Sequence, residues 1–275
     1  TQTASSSSTG TDVFNYTLED GDGDISTATL TIDLDGGVTI DAPDALAAGT
    51  SVSEVGLDAG REGDLGVGNE SEGSAGSADT SETTSGVIAF SGNDAPLALT
   101  IDGGQGLGEQ TIAAGDSYVG TYGVLTIDAI NAGSIDYSYT LSDNTSGDTT
   151  QDSFALKVVD SDGDEASATL VIDIADDVPT ARADTDSLIN GDTSVTGNVM
   201  TGVSEAGAGA ADTEGADGGT VTSFSSVNNS NVGAVGGAAL VGEFGTLTLT
   251  AAGTYVYTQT ASSSSTGTDV FNYTL

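Results

Sequence analysis

Residues 152–174 read DSFALKVVDSDGDEASATLVIDI, and residues 12–34 read DVFNYTLEDGDGDISTATLTIDL. The two stretches align over their whole length without a gap, at a constant offset of 140 residues. In both, apolar and polar residues alternate on either side of a run of aspartate and glycine. Alternation with a period of two is typical of half-buried strands, and Asp-Gly runs are typical of tight turns. Each stretch therefore predicts an antiparallel β-hairpin.

A second matched pair precedes the hairpins. The segments 123–127 (GVLTI) and 137–140 (YSYT) correspond to 245–249 (GTLTL) and 255–258 (YVYT). Many short strands separated by Gly, Asn and Asp turns are typical of Ig-like and related Greek-key sandwiches. We therefore predict an all-β fold of tandem Ig-like Greek-key β-sandwich domains arranged end to end.

A longer repeat defines the predicted domains. Residues 1–18 recur unchanged as residues 258–275, which predicts one period of a tandem array with an 18-residue overlap. We expect residues 1–35 to be the last strands of a preceding sandwich, 36–175 a longer sandwich, and 176–275 a sandwich incomplete in this stretch. The segment from Gly56 to Gly86 has few apolar residues and is predicted to be a long surface loop.

The repeats also predict where the closing hairpin belongs. We expect residues 19–35 to complete a sandwich of the 176–275 type in the preceding repeat, through a continuous array or by strand donation between chains. The identical segments favour the continuous array, because two separate chains would compete for the same position.

The composition excludes several classes of function. The chain has 275 residues and a net charge of −39, with 42 acidic residues, only three basic ones, and no His, Cys or Trp. Such a chain is unsuited to binding nucleic acid or an anionic membrane. It cannot form zinc sites of Cys and His, thiol nucleophiles or disulfides. No apolar run is long enough to cross a membrane. The remaining ligand chemistry is oxygen, which suits hard cations such as Ca²⁺.

Several of these segments resemble known repeats. The segments 245–249, 253–257 and 269–275, continued in register by 19–32, resemble a VCBS repeat. The segment from Ser53 to Pro179 resembles the longer sandwich repeat that alternates with it. Both types occur in giant RTX adhesins, which Gram-negative bacteria export by type I secretion. The resemblance implies an extracellular cell-surface protein that binds Ca²⁺, contacts neighbouring identical repeats head to tail, and acts in adhesion and biofilm formation.

The hairpin turns are the first candidate Ca²⁺ sites. Each turn contains three aspartates, and neither matches an EF-hand, which needs Gly at position six and Glu at position twelve. Ile25 and Glu165 stand at the sixth positions. A Ca²⁺ site would relieve the repulsion between the carboxylates, and the alternative is a plain Asp-Gly turn. The candidate ligands are Asp20, Asp22, Asp24, Asp160, Asp162 and Asp164.

The segments between domains are the second group of candidates. Aspartates cluster there around Pro43 and Pro179, where oxygen ligands from a strand end, a linker and a loop can converge on one ion, as in cadherin-like modules. The alternatives are an acidic, flexible spacer and pairing of Arg182 with a carboxylate. The candidates are Asp33, Asp35, Asp41, Asp44, Asp173, Asp176, Asp177, Asp184 and Asp186.

Catalysis is not expected from this sequence. Paired carboxylates can cleave glycosides, but such sites usually have aromatic platforms, and most of the few aromatic residues here fall in the strand pattern. We therefore expect a structural extender, or stalk, of a calcium-dependent adhesin. The alternatives are a self-assembling extracellular fibre or matrix subunit and a ligand- or glycan-binding module.

Overall fold

The computed structural model describes residues 10–34, 36–58, 72–76, 78–92, 95–103, 108–145, 147, 149–161, 163–189, 191–260 and 266–275. Within these ranges the chain is almost entirely β-structure, with one short 3₁₀ helix at Glu54–Gly56. The strands are β1 Gly10–Glu19, β2 Ile25–Leu34, β3 Thr39–Asp41, β4 Ser51–Ser53, β5 Thr83–Ser91, β6 Ala98–Asp102, β7 Gln110–Thr111, β8 Ser117–Val119, β9 Gly123–Asn131, β10 Ser134–Leu141, β11 Thr150–Val159, β12 Glu165–Ala175, β13 Ser194–Asn198, β14 Ser223–Ser226, β15 Val232–Gly233, β16 Leu240–Val241, β17 Gly245–Leu249, β18 Thr254–Gln259 and β19 Phe271–Thr274.

The chain folds into two compact units. Unit 1 contains residues up to Val52, Thr83–Ser142 and Thr149–Ala175; unit 2 contains Ser53–Glu82, Asp143–Asp148 and Asp176–Leu275. The change at 175/176 coincides with the boundary expected from the sequence. Two loops from within the expected first sandwich nevertheless belong to unit 2.

Unit 1 contains two five-stranded antiparallel sheets, in the orders β3-β5-β10-β9-β8 and β4-β12-β11-β6-β7. Their alternating apolar residues form the core, in which Leu125, Ile135, Phe154 and Leu170 are completely buried. The ring of Tyr139 on β10 meets that of Phe154 on β11 edge to face, with centroids 6.2 Å apart. This contact joins the two sheets face to face.

Unit 2 repeats this plan with fewer strands. Its sheets have the orders β13-β18-β17-β16 and β15-β14-β19, and their core includes Met200, Phe224 and Leu249. Tyr257 on β18 meets Phe271 on β19 edge to face, with centroids 6.4 Å apart. The ring contact thus occupies the same place in both units. The predicted all-β, sandwich-like fold is confirmed.

An aspartate ties a turn to the sheet in both units. The buried Asp152 carboxylate accepts N–H bonds from Thr121, Tyr122 and Gly123, and a 2.7 Å bond from the Tyr139 hydroxyl. In unit 2, Asp269 accepts bonds from Tyr257 and from the N–H groups of Glu243, Phe244 and Gly245. We call this arrangement the aspartate latch. In unit 1 it anchors the start of β9 to β11 of the opposite sheet. In unit 2 it anchors the start of β17 to the residues just before β19.

The predicted loop from Gly56 to Gly86 ends earlier than expected. Strand β5 begins at Thr83, so Gly86 lies within a strand. A Cβ atom at Gly86 would collide with the Tyr137 ring and hydroxyl, which pack over it. Glycine is therefore required there for close packing, although it suggested a loop in the sequence. Residues 59–71 and 77 lie outside the described residues.

Both predicted hairpins are present and share one register. Phe14 lies opposite Leu30 in β1–β2, and Phe154 lies opposite Leu170 in β11–β12. Strands β11 and β12 belong to a five-stranded sheet, whereas β1 and β2 form a sheet of two. Identical patterning therefore gives the same local structure in two different environments.

Within the described ranges, no helix has the length and apolar character needed to span a bilayer.

Candidate metal centre

Three carboxylates from three separate segments of unit 2 meet at one place. Glu54 lies on the 3₁₀ helix, Asp176 follows β12, and Asp217 lies in the turn closed by the bond from Gly218 N–H to the Gly215 carbonyl. One oxygen from each carboxylate lies within 4.8 Å of the others. We call these three residues the Glu54 cluster.

Glu54 is the most enclosed member of this cluster. Its side chain is completely buried, and its Oε1 accepts a 2.6 Å bond from the N–H of Thr145. Its Oε2 accepts a longer bond from the N–H of Asp177. Burial, opposed by these hydrogen bonds and reinforced by the charge of Asp217, raises the pKa of Glu54 to about 7. The folded protein therefore holds this carboxyl where a negative charge is unfavourable without a compensating cation.

The surrounding loops hold the cluster in place through hydrogen bonds. Asn144 is buried, and its amide donates to the Asp217 carboxylate. Asp177 is also buried and accepts bonds from both the N–H and the hydroxyl of Ser74. The donors thus come from the same loops that unit 2 takes from within the expected first sandwich.

The chemistry of this donor set matches a hard divalent cation. Two unit charges about 5 Å apart in a partly buried site repel by a few kcal/mol, roughly 3–4 at an effective dielectric constant of 20. The chain has three basic residues for 42 acidic ones, so side-chain cations cannot neutralise most of its carboxylates. Ca²⁺ binds six to eight oxygen atoms and accepts carboxylates and carbonyls. Glu54, Asp176 and Asp217 could supply part of that shell.

The first acidic turn brings its three predicted ligands together. Asp20, Asp22 and Asp24 place one oxygen each within 4.8 Å of the others, and all three are exposed. Asp20 Oδ1 also accepts N–H bonds from Asp22, Gly23 and Asp24. Hydrogen bonding with the Asp22 side chain and these N–H groups lowers the pKa of Asp20. The Asp20 carboxylate therefore closes the turn without an ion, as in the plain Asp-Gly turn. The three carboxylates still lie close enough together to contact one ion.

The second acidic turn is built similarly. Asp160 is buried, and its Oδ1 accepts N–H bonds from Gly163 and Asp164. Its Oδ2 is enclosed without a hydrogen-bond partner among the described residues. Asp162 lies outside the described residues.

The predicted ligands around Pro43 have separate positions. Asp33 accepts a bond from the Thr11 hydroxyl, Asp41 lies exposed on β3, and Asp44 is exposed. Asp173, predicted with the other group, accepts a 2.9 Å bond from the N–H of Leu46. Asp35 lies outside the described residues. None of the described members of this set belongs to an acidic cluster found in the described part of the chain.

Two further predicted ligands lie elsewhere in unit 2. Burial raises the pKa of Asp186, but bonds from Tyr255 and the N–H groups of Ala206, Glu205 and Ser187 outweigh it and lower the pKa overall. Asp186 therefore anchors the loop at 205–206 to the sheet. Burial and the charge of Asp212 raise the pKa of Asp184. Of the predicted set around Pro179, the structure places Asp176 in the Glu54 cluster, with Asp177 beside it.

Sequence reasoning missed two of the three residues of the cluster. Glu54 stands in a segment with few charges around it, and Asp217 stands in a run of Ala, Asp and Gly that indicates an ordinary turn. Their separation of more than 160 residues along the chain gives no local pattern. For Glu54, the available signal in the sequence was its position as a single acidic residue beside Val55, at the end of a strand.

No protein-family model matches this chain, and a search of curated proteins finds no significant relative. Its class is therefore defined by fold and site: an all-β protein of sandwich-like units with a cluster of three carboxylates, one of which is completely buried.

Proposed function

We propose that this chain is a structural extender segment, or stalk, of a calcium-dependent bacterial surface adhesin that acts in cell adhesion and biofilm formation. The observation that carries the proposal is the Glu54 cluster, in which a completely buried carboxylate lies beside two others. The exact repeat of residues 1–18 at 258–275 supports a tandem array, because identical copies add length without adding a new binding specificity.

The role of Ca²⁺ follows from the energetics of the cluster. Folding buries Glu54 near Asp217. Without a cation, either Glu54 becomes protonated or the two negative charges repel each other. A bound Ca²⁺ makes the same carboxylates attractive partners and links the 3₁₀ helix, the segment after β12 and the turn at Asp217. Because the unfolded chain lacks this arrangement, binding adds directly to the free energy of unfolding. A chain with a charge of −39 is thereby suited to folding where extracellular Ca²⁺ is available.

The test is a Ca²⁺ titration of thermal unfolding. We expect saturating Ca²⁺ to raise the Tm of the full chain by about 5–10 °C over the chelated form. Glu54→Gln and Asp217→Asn should each remove most of this increase, because each deletes one charged ligand. Asp192→Asn, which removes an exposed carboxylate outside every candidate ligand set, is the control and should keep the full increase.

Two outcomes would contradict the proposal. An equal Ca²⁺ response in Glu54→Gln and the unchanged protein would exclude the cluster as the site. A Tm that is insensitive to Ca²⁺ in all variants would exclude calcium-dependent stability. Small-angle scattering during the same titration tests the stalk itself, since Ca²⁺ should narrow the range of molecular lengths.

A further inference from the structure

The outer face of the β4-β12-β11-β6-β7 sheet in unit 1 carries a depression that the proposed stalk function does not use. It has a volume of about 240 Å³ and lies over strands β6, β11 and β12. Pockets for drug-sized ligands measure about 300–1,000 Å³, so this one is sized for a smaller molecule. We call it the Ala155 hollow, and its lining includes Thr100, Asp102, Glu109, Ala155, Lys157 and Thr169.

The strand register explains how the Ala155 hollow forms. On β11, Ala155 and Lys157 alternate with the buried Leu156, so both point away from the core. Ala155 lies opposite Asp102 on β6 and opposite Thr169 on β12. Residues directly opposite each other share one face of a sheet, and neighbouring strands are only about 4.8 Å apart. A single methyl group between two longer polar side chains therefore leaves a depression in the sheet surface.

Polar groups of both kinds surround this depression. Lys157 Nζ lies 2.7 Å from Glu109 Oε1, which leaves the ammonium with further N–H groups to donate. Thr100 lies opposite Lys157, and its Oγ1 is enclosed without a hydrogen-bond partner among the described residues. An enclosed hydroxyl without a partner is unfavourable, and a bound ligand with hydroxyl groups would supply the missing bond.

The charges around the Ala155 hollow decide which ligand class fits it. An anion would face Asp102 and Glu109 as well as the net charge of −39 on the chain. A cation would meet the ammonium group of Lys157. An aromatic ligand would find no aromatic partner among the described residues that line the hollow. A neutral molecule with several hydroxyl groups suits it, because hydroxyls donate to carboxylates and accept from ammonium and hydroxyl groups.

We propose that the Ala155 hollow binds one neutral monosaccharide unit. Its hydroxyl groups donate to the Asp102 and Glu109 carboxylates and accept from Lys157 and Thr100, while its C–H groups contact the Ala155 methyl. A ligand of this size in an open depression binds weakly, with a Kd on the order of 1–10 mM. The hollow lies in unit 1 and shares no residue with the Glu54 cluster, so this proposal does not depend on the Ca²⁺ response.

Amide NMR shifts of the ¹⁵N-labelled full-length protein test the site. Glucose, galactose, mannose and N-acetylglucosamine are each added to about 50 mM at one fixed Ca²⁺ concentration. We expect at least one of them to shift amides of β6, β11 and β12 around the hollow, with a Kd on the order of 1–10 mM. Ala155→Leu fills the hollow, keeps every polar group, and should weaken binding by about tenfold or more. Thr100→Val removes the enclosed hydroxyl at nearly constant shape and should weaken binding by about threefold or more.

Two controls make the result specific. Ser153→Leu adds the same side chain on the same face of β11, two residues from Ala155 and outside the hollow, and should bind like the unchanged protein. Glucuronate, a sugar that carries a carboxylate, should bind about tenfold or more weakly than the best neutral sugar. Absence of shifts with all four sugars, shifts only outside the hollow, equal binding by Ala155→Leu and Ser153→Leu, or glucuronate binding as tight as that of the neutral sugars would each overturn the proposal.

Discussion

At the scale of single residues, folding changes the pKa of Glu54. Its side chain is completely buried, and desolvation with the nearby Asp217 raises its pKa to about 7, from an ordinary value of 4.5. Between these two values the folded state binds a proton that the unfolded state has released. The stability due to this group is thus present at low pH and is lost as the pH rises towards 7.

We therefore expect the chelated protein to become less stable as the pH rises from about 4.5 to 7, with a slope of at most about 1.4 kcal/mol per pH unit from this carboxyl. The measurement is urea unfolding across this range, comparing the unchanged protein with Glu54→Gln. The variant should lack this part of the slope, since its amide does not titrate. Asp20, Asp79 and Asp186, whose pKa values are lowered, change protonation below this window. Parallel pH profiles for the two proteins would disprove the assignment.

Ca²⁺ should reverse this pH dependence. A metal ligand must be deprotonated, so protonation of Glu54 competes with the ion. We expect the apparent Ca²⁺ affinity, measured by calorimetry, to fall as the pH decreases below about 7. The control variant Asp192→Asn should show the same fall. A Ca²⁺ affinity that is independent of pH from 5 to 8 would show that Glu54 is not a ligand.

At the scale of elements, the aspartate latch ties a turn, a strand of one sheet and a strand of the other. Asp152 is buried and receives three backbone N–H groups together with the Tyr139 hydroxyl. Burial, together with the neighbouring Asp152 carboxylate, raises the pKa of Tyr139 far above its usual range. The hydroxyl therefore stays a donor at any ordinary pH.

Removing parts of the latch should have graded effects. Tyr139→Phe loses one charge-assisted bond and should destabilise unit 1 by about 1.5–3 kcal/mol, whereas Asp152→Ala leaves several donors without an acceptor and should cost about 3 kcal/mol or more. Tyr16→Phe is the control, because that ring is half exposed on the β1–β2 hairpin. The measurement is chemical unfolding of each variant. Equal stability of Tyr139→Phe and Tyr16→Phe would show that the latch contributes nothing.

At the scale of the whole molecule, the large negative net charge is a major influence on stability. With 42 acidic and three basic residues, the compact state carries strong self-repulsion, which mobile ions screen. The Debye length falls from about 30 Å at 0.01 M salt to about 3 Å at 1 M. We expect the Tm of the chelated protein to rise by several degrees over this range of NaCl. A scan of Tm against NaCl concentration measures it, and a flat or falling curve would contradict self-repulsion as a major term.

The amino-acid sequence by itself determined the strands, the hairpin register and the repeat. The alternation of apolar residues and the Asp-Gly turns are local, so Phe14 lies opposite Leu30 just as Phe154 lies opposite Leu170. The all-β class follows from the same local signals.

Only the tertiary structure decided which acidic residues meet. Asp176 is beside Glu54 and Asp217 because loops distant in sequence fold into unit 2, and Asp173 instead binds the N–H of Leu46. The Thr145 N–H that binds the Glu54 carboxylate also comes from a loop that no sequence pattern relates to Glu54. Local periodicity specifies strands because each strand's geometry repeats every two residues, whereas a site built from separate loops depends on how the whole unit packs.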